Sequence, residues 1–427
     1  MDAIEGIDKH CELCNTHERK KAAFRWGRWR WNASNHRRIC LRMSYDEQGG
    51  DRSKDNLSKD ELDRYSRQIV LGEIGIDGQR KLKRARVLIV GLGGLGSPLA
   101  LYLAAAGVGT IGIVDDDTVH LSNLHRQILY GTDSLGEAKV AVASKRMRDL
   151  NPDITVIPHQ VRLSRANAIE LLTGYDIVAD ATDNFAARYL ISDACVLSGI
   201  PDVCGSVFTF EGHVTILSAK GAPCYRCIFP SPPGPTGVPS CNEIGVLGVL
   251  PGIVGSLQAA EVLKLILGIG QPLIGRMMLF DALGMAIDEV SLMRNIECPM
   301  CGDSPTIHEL PEYESFCGTQ KEKQEAMTVE AYSIFRTQNP DHILLDVREP
   351  WEREIADIGG SLIPLGELQN RLGELPNDKP IIALCHHGVR SRSAVTMLQR
   401  AGFENAVNLD GGIAAWSERI DRAIPQY

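Results

Sequence analysis

The strongest constraint on this chain is a hydrophobic strand that runs straight into a glycine turn. Val87-Leu88-Ile89-Val90 leads into Gly91-Leu92-Gly93-Gly94-Leu95-Gly96, and a helical pattern with Pro98 in its first turn follows to Gly107. Glycines at this spacing let the backbone turn sharply and approach a bound group closely. The N–H groups at the start of the helix are then free to hold phosphate. A lone glycine motif is weak evidence for a ligand, but its strand–turn–helix setting argues against a purely structural turn.

The same alternation continues downstream. Strands are expected at 84–90, 110–114, 155–158 and 176–180, with helices at 139–150 and 166–172, which describes a mostly parallel sheet with helices on both faces. Ser58-Lys59-Asp60-Glu61 has the form of a capping box where the folded part begins. A strand is expected at 212–218 and a long helix at 255–267. The expected organisation is a first domain over 56–302, a polar linker over 303–325, and a second, smaller α/β domain over 326–427, with strands at 343–346 and 381–384.

Residues 1–55 stand apart. They hold Arg25-Trp26-Gly27-Arg28-Trp29-Arg30-Trp31 and a Cys11/Cys14 pair flanked by His10 and His17. One Cys pair without a second is weak evidence for a metal. A disordered basic tail, or upstream sequence ahead of a start at Met43, is the better reading.

Composition narrows the class of function. The chain has 427 residues and a net charge of −9, which argues against a general nucleic-acid binder. No uninterrupted apolar run reaches the roughly 18 residues that span a bilayer, and the longest apolar region, Ile244–Ile269, carries glycines, Glu261 and Lys264. No secretory signal is visible. The 12 cysteines are spaced like metal ligands and reactive thiols of a reducing cytosol rather than a disulfide framework, so a cytoplasmic location is expected.

The segment after the second strand distinguishes between chemistries. It reads Asp115-Asp116-Asp117-Thr118-Val119-His120-Leu121-Ser122-Asn123-Leu124-His125-Arg126. Asp115 stands where an acid bonds ribose hydroxyls. Asn123, Arg126 and Lys139 follow, and Asp183, just past the fourth strand, is placed to hold Mg²⁺. Hydride transfer needs no cationic clamp. Nucleotidyl transfer does, because charge shifts onto the α-phosphoryl group and the departing pyrophosphate. Any one of these residues alone would be read as a surface ion pair; four converging on one sheet edge suggest cleavage of ATP between its α- and β-phosphates.

Residues 57–301 resemble the adenylyltransferases that activate ubiquitin-like sulfur carriers. That family includes the molybdopterin-synthase and thiamine-pathway activating enzymes and is related to the ubiquitin-activating enzymes. The resemblance is carried by Arg64-Tyr65-Ser66-Arg67-Gln68-Ile69, the glycine turn, Ser122-Asn123-Leu124-His125-Arg126-Gln127 and Asp183-Asn184. It implies a Rossmann-like fold and MgATP-dependent adenylation of a small partner's C-terminal glycine. It also implies that Gly94, Asp115, Ser122, Asn123, Leu124, His125, Arg126, Lys139, Asp183 and Asn184 contact ATP or its metal. Arg126 and Asp183 would act in catalysis, and Arg67 would reach the phosphates from the other subunit of a homodimer. From the residues alone, Arg67 is equally a capping or surface arginine.

Cys224-Tyr225-Arg226-Cys227 and Cys298-Pro299-Met300-Cys301 are two Cys-x2-Cys pairs. Four thiolates in two such knuckles make a closed tetrahedral site, so structural rather than catalytic zinc is expected; the family resembled carries zinc at the matching cysteines. Cys241 ends a Pro/Gly-rich loop at 232–240, where a thiol is exposed and reactive or simply inert at a helix start. The resemblance implies covalent capture of the activated carrier there, as a thioester or through a persulfide. Cys195 and Cys204 are expected in the core, and Cys317 has no assigned role.

Leu384-Cys385-His386-His387-Gly388-Val389-Arg390-Ser391-Arg392 joins a strand to a helix. Backbone N–H groups in such a turn favour a thiolate. Cysteine-based phosphatases place an arginine six positions after the cysteine, whereas Ser391 stands there and Arg390 comes one earlier. With Leu345-Asp346-Val347-Arg348-Glu349 and Asp410-Gly411-Gly412-Ile413-Ala414-Ala415-Trp416, this segment resembles the rhodanese sulfurtransferases. The resemblance implies a persulfide on Cys385 with Arg390 stabilising the anion.

The combined expectation is an enzyme of two activities. It would adenylate the C-terminal Gly-Gly end of a sulfur carrier and then deliver sulfur from Cys385 to form a thiocarboxylate, most simply for molybdopterin synthesis. Thiamine, tRNA thiolation and cysteine pathways are alternatives, and the sulfur donor would be a cysteine desulfurase or thiosulfate. Fusing the domains raises the donor's effective concentration. Two other classes stay open: an NAD-dependent oxidoreductase with a regulatory second domain, and a non-catalytic scaffold for a carrier.

Overall fold

The computed structural model describes residues 56–231, 245–313 and 326–427. The tail over 1–55, with Cys11 and Cys14, lies outside the described residues, as do Cys241 and Cys317.

Helix α1 (Lys59–Arg64) opens on the expected capping box: Glu61 N–H donates to Ser58 Oγ at 3.1 Å and Ser58 N–H to the Glu61 carboxylate at 2.7 Å. Helices α2 (Ser66–Ile69) and α3 (Gly75–Arg84) follow, and the sheet begins with β1 (Arg86–Val90). The chain then alternates α4 (Gly96–Ala106), β2 (Thr110–Val114), α5 (Lys139–Leu150), β3 (Thr155–His159), α6 (Ala168–Leu172), β4 (Ile177–Asp180) and α7 (Phe185–Ser198). β5 (Asp202–Phe208) and β6 (Glu211–Leu217) precede the short α8 (Tyr225–Ile228) and the long α9 (Leu250–Leu267), and β7 (Arg276–Asp281) and β8 (Ala286–Ser291) complete the sheet.

The eight strands are ordered β3-β2-β1-β4-β5-β6-β7-β8. The first five are parallel and the last three antiparallel. Alternate residues of a strand face opposite sides. Leu88 and Val90 of β1 join Val178, Ala168, Leu172, Tyr189 and Ala194 in one core between the sheet and α6–α7. Val87 and Ile89, equally buried, face the other layer, and so β1 reads as an unbroken apolar run, as expected of a strand covered on both faces. Sequence reasoning did not anticipate β5, β7 and β8. Every residue of β8 is exposed, so it carries little hydrophobic signal.

Helix α9 is long and apolar enough by length and composition to cross a membrane. It packs on α4, β5 and β6 instead. Its charged residues are satisfied internally, with buried Glu261 accepting Leu273 N–H at 2.8 Å and pairing with Lys264. The first core also reaches past residue 302. Leu310 and Tyr313, inside the stretch expected as linker, are buried in it, and Tyr313 O–H donates to Asp193 at 2.7 Å. Two apolar side chains in a polar stretch were enough to dock it.

The second sheet is fully parallel, with strands ordered β11-β10-β12-β13-β9. Its elements are β9 (Ala326–Thr328), α10 (Val329–Gln338), β10 (Ile343–Asp346), α11 (Pro350–Ile355), β11 (Ser361–Leu362), α12 (Leu365–Arg371), β12 (Ile381–Leu384), α13 (Val389–Arg400), β13 (Ala406–Asp410) and α14 (Gly412–Arg419). Leu345 and Ala383 pack with Val395 and Leu398 on one face, and Leu344, Ile382 and Leu384 with Tyr332 and Trp416 on the other. At the end of β10, Asp346 and Arg348 form a fully buried ion pair at 2.6 Å.

Candidate functional site

The parallel register brings Val90, Val114 and Asp180 level, so the chain leaves β1, β2 and β4 along one C-terminal edge. That edge is where open α/β sheets place ligands. Gly91 has φ +92°, and a Cβ there would lie 2.8 Å from Ala181 O. A Cβ on Gly96 would sit 2.0 Å from Gly91 O. Glycine is therefore required by the close return of the turn on itself. Gly94 lies beside α9 and the Arg126 stem, since its Cβ would be 2.8 Å from Pro251 and 3.5 Å from Arg126 Cγ.

The acids after β2 divide the work. The Asp115 carboxylate accepts Leu92 N–H at 2.7 Å and Asp117 N–H at 2.9 Å, so it holds the glycine turn in shape. Lys139, almost buried at the start of α5, pairs with Asp117 at 2.6 Å. Burial opposes ionisation of Asp117, but Lys139 and the Thr118 N–H outweigh it and hold the carboxyl below its usual range. Sequence reading named Lys139 but not Asp117, because a run of three acids does not say which one turns inward. Arg126 donates to Ser122 O at 2.9 Å and contacts the His125 ring nitrogen at 2.8 Å. Partial burial, then the Arg126 charge, depresses His125 protonation. Asn123 Oδ1 accepts His120 N–H at 3.3 Å, and Leu124 lies half-buried in the same turn.

Asp183 is exposed at the end of a braced turn. Buried Asp180 accepts both the N–H and the hydroxyl of Thr182, at 2.8 and 2.6 Å. Gln258 of α9 donates to Asp180 O at 2.7 Å, and Arg188 donates to Thr182 O at 3.0 Å. Asn184 caps α7 through a 2.9 Å bond from Ala187 N–H. Arg67 is exposed on α2, with no side-chain bond to another described residue.

The two Cys-x2-Cys knuckles meet. The Sγ atoms of Cys224, Cys227, Cys298 and Cys301 all lie within 4.8 Å of one another, with contacts of 3.8, 3.6 and 3.3 Å. A tetrahedral zinc with Zn–S of about 2.3 Å has S···S edges of about 3.8 Å, so this cluster can bind zinc. Arg226, between the first pair, is anchored on buried Asp193 by bonds of 2.8–3.1 Å, which fixes the knuckle to α7. Cys195 and Cys204 are buried elsewhere, and burial pushes both thiols well up, as befits core residues.

In the second domain, Cys385 is buried at the end of β12. Its Sγ accepts Gly388 N–H at 3.1 Å and the Ser391 hydroxyl at 3.2 Å. Of the backbone N–H groups expected around the sulfur, Gly388 N–H reaches it, and Ser391, noted from sequence only as the residue replacing an arginine, is the side chain that touches sulfur. Arg390 instead makes a two-pronged pair with Glu352 of α11, both bonds 2.6 Å. Burial opposes its charge, but Glu352 first, with a smaller contribution from Cys385, raises the guanidinium's basicity. Ile413 and Ala414 N–H groups, at the start of α14, donate to Cys385 O and His386 O at 2.9 and 3.0 Å. A Cβ on Gly412 would lie 2.3 Å from Cys385 O, and so the glycine pair of the Asp410–Trp416 motif supports the cysteine loop from below. Glu352 was not legible in the sequence; its link to the cysteine loop, through Arg390, exists only in three dimensions.

A glycine turn at the C-terminal edge of one parallel sheet and a cysteine held in a strand–helix turn of another are the features of a two-domain α/β enzyme of the nucleotidyl- and sulfur-transferring class. Residues 65–300 match the ThiF family and residues 329–419 the rhodanese-like domain. The chain belongs to the ThiF family and carries a C-terminal rhodanese-like domain. It is 42% identical over 396 residues to the adenylyltransferase and sulfurtransferase MOCS3-2 of Zea mays, covering 87% of this chain and 82% of that protein. It is 42% identical over 385 residues to the probable adenylyltransferase/sulfurtransferase MoeZ of Mycobacterium tuberculosis, covering 87% and 96%. A sulfur carrier protein adenylyltransferase of Thermus thermophilus is 53% identical over 266 residues, 61% of this chain and 98% of that protein. Among solved structures, E. coli MccB shares the fold, with a TM-score of 0.52 at 23% identity over 60% of this chain and 76% of that one.

Proposed function

We propose that this protein adenylates the C-terminal glycine of a ubiquitin-like sulfur carrier and then converts the acyl-adenylate to a thiocarboxylate, most simply for molybdopterin synthesis. The observation that carries the reading is that one chain holds both a tight glycine turn at the C-terminal edge of a parallel sheet and a buried cysteine whose sulfur accepts Gly388 N–H and the Ser391 hydroxyl. The relatives that align across both domains are named for the same pair of activities.

In the first step a carboxylate oxygen of the carrier attacks the α-phosphorus and pyrophosphate leaves. The glycine turn, with Gly94, holds the phosphates close to backbone N–H groups. Asp115 orients ribose, Arg126 and Lys139 offset charge moving onto the phosphates, and Asn123 with Ser122, Leu124 and His125 shapes the wall. Asp183 and Asn184 would hold Mg²⁺, which would neutralise phosphate charge. Arg67, exposed and uncommitted, suits a contribution across a homodimer interface. Zinc at the four cysteines would lock the knuckles without taking part in chemistry.

In the second step the terminal sulfur of a Cys385 persulfide attacks the acyl carbon and AMP leaves, giving an acyl disulfide. A thiol then attacks Cys385 Sγ and releases the thiocarboxylate. An external thiol serves for that attack and a second one restores Cys385, while Cys241 is the candidate for covalent capture of the activated carrier, as a thioester or through a persulfide. Arg390 supports the persulfide anion. The sulfur enters from a cysteine desulfurase or thiosulfate, in a reducing compartment such as the cytoplasm.

The test is carrier-dependent ATP–pyrophosphate exchange with a panel of Gly-Gly-ending carriers, the products being weighed for a thiocarboxylate. Arg126→Ala should abolish exchange. NADH binding without any exchange would instead favour an oxidoreductase, and carrier binding without exchange a scaffold. The carrier that is thiocarboxylated separates molybdopterin from thiamine, tRNA or cysteine pathways.

A further inference from the structure

Tyr427 lies at the sulfur loop although it is 42 positions away from Cys385 in sequence. Its ring stacks on His386, with centroids 4.3 Å apart and planes at 14°, and His386 stacks in turn on His387 at 4.0 Å. Its hydroxyl accepts Arg348 Nη1–H at 2.7 Å and donates to Glu352 Oε1 at 3.1 Å. That same Glu352 oxygen receives Arg390. Tyr427 therefore joins the buried Asp346–Arg348 pair to the Glu352–Arg390 pair and covers the residue that follows Cys385.

We propose that Tyr427 is a positioning residue of the sulfur loop, its ring sealing the His386–His387 face and its hydroxyl holding Glu352, and through it Arg390, in place beside Cys385. The proposal deepens the reading of Cys385 as the persulfide carrier and rests on it. The consequence is electrostatic as well as steric. His386 faces His387 on its own loop, Tyr427, Glu352 of α11, Arg390 of α13 and Arg348 ahead of α11. Burial first, then His387, lowers its basicity to about 4. Under the tyrosine the imidazole stays uncharged across neutral pH, and the contacts to the Cys385 sulfur are the fixed ones from Gly388 N–H and the Ser391 hydroxyl.

Two variants of the full-length protein separate ring from hydroxyl. Tyr427→Phe keeps the stack; Tyr427→Leu removes both. One readout is thiosulfate:cyanide sulfur transfer. The other is the rate of Cys385 alkylation by iodoacetamide between pH 5 and 9, followed on its own peptide by mass spectrometry. Tyr427→Phe should lower kcat by about 3–10-fold, the size of one net hydrogen bond, while keeping the wild-type alkylation profile. Tyr427→Leu should add a second inflection to that profile below neutral pH, as an uncovered His386 regains its ordinary basicity. A tyrosine that only fills space would lower the melting temperature of the leucine variant and leave both readouts alone. If both variants keep kcat within about twofold of wild type and a single-inflection profile, the proposal is overturned. Wild-type protein that transfers no sulfur would sink the persulfide reading itself, while the alkylation profile still decides the role of Tyr427.

Discussion

Replacing Gly412 by alanine tests the sulfur loop at its support rather than at its reactive atom. Gly412 has φ +58°, and a Cβ there would lie 2.3 Å from Cys385 O and 2.4 Å from His386 O. Both neighbours are backbone atoms, and both are acceptors for the Ile413 and Ala414 N–H groups. They can retreat only by stretching those bonds. The left-handed backbone costs an alanine roughly 1–2 kcal/mol, and each weakened hydrogen bond about 1 kcal/mol more. The sum is about 3–4 kcal/mol, taken from a domain of ordinary small size, so its melting transition should fall by roughly 12–30 °C. Near-UV circular dichroism, to which buried Trp416 contributes, follows that transition. Moving the cysteine carbonyl shifts Sγ relative to Gly388 N–H and Ser391, and a misplacement of about 1 Å costs on the order of 100-fold in rate. Thiosulfate:cyanide transfer should therefore collapse while ATP–pyrophosphate exchange persists. Gly366→Ala is the control: it lies on a helix with nothing within 4 Å of its Cβ, and should be neutral or slightly stabilising. Wild-type sulfur transfer and melting in Gly412→Ala would refute the argument that the Gly411-Gly412 turn holds the cysteine loop.

Cys385→Ala should abolish sulfur transfer and leave carrier adenylation intact; retained transfer, measured as thiocyanate, would remove Cys385 from the mechanism. Cys298→Ser should lower bound zinc, measured by metal analysis, and destabilise the first domain, because it opens a four-sulfur cluster fixed to α7 through Arg226; full zinc content in the variant would dismiss the site. The second domain should also lose stability in acid through Glu352. Burial opposes its ionisation, but Arg390, the Glu349 N–H and Tyr427 hold its carboxyl below the ordinary value of 4.5. A carboxyl lowered in the folded state stabilises it above the unfolded value, and that contribution disappears as pH falls through the folded one. Denaturant midpoints should therefore drop more steeply below pH 4.5 for wild type than for Glu352→Gln; parallel curves would show that the pair contributes no linkage.

The sequence by itself determined the local grammar of this protein. The run Val87–Val90 into the glycine turn, the Ser58–Glu61 box and the limits of β2 and α5 were legible because each depends on neighbours in the chain: periodicity, caps and positive-φ glycines. The paired Cys-x2-Cys knuckles and the cysteine turn at Cys385 were legible for the same reason, since metal and thiolate sites need fixed short spacings. The tertiary structure alone decided which partners those residues take. It selected Asp117 from three successive acids as the mate of Lys139, gave the sulfur contact to Ser391, and committed Arg390 to Glu352. It closed the first core with Leu310 and Tyr313. It also brought Tyr427 over His386. Pairing of this kind depends on packing between segments far apart in the chain, and no local pattern encodes it.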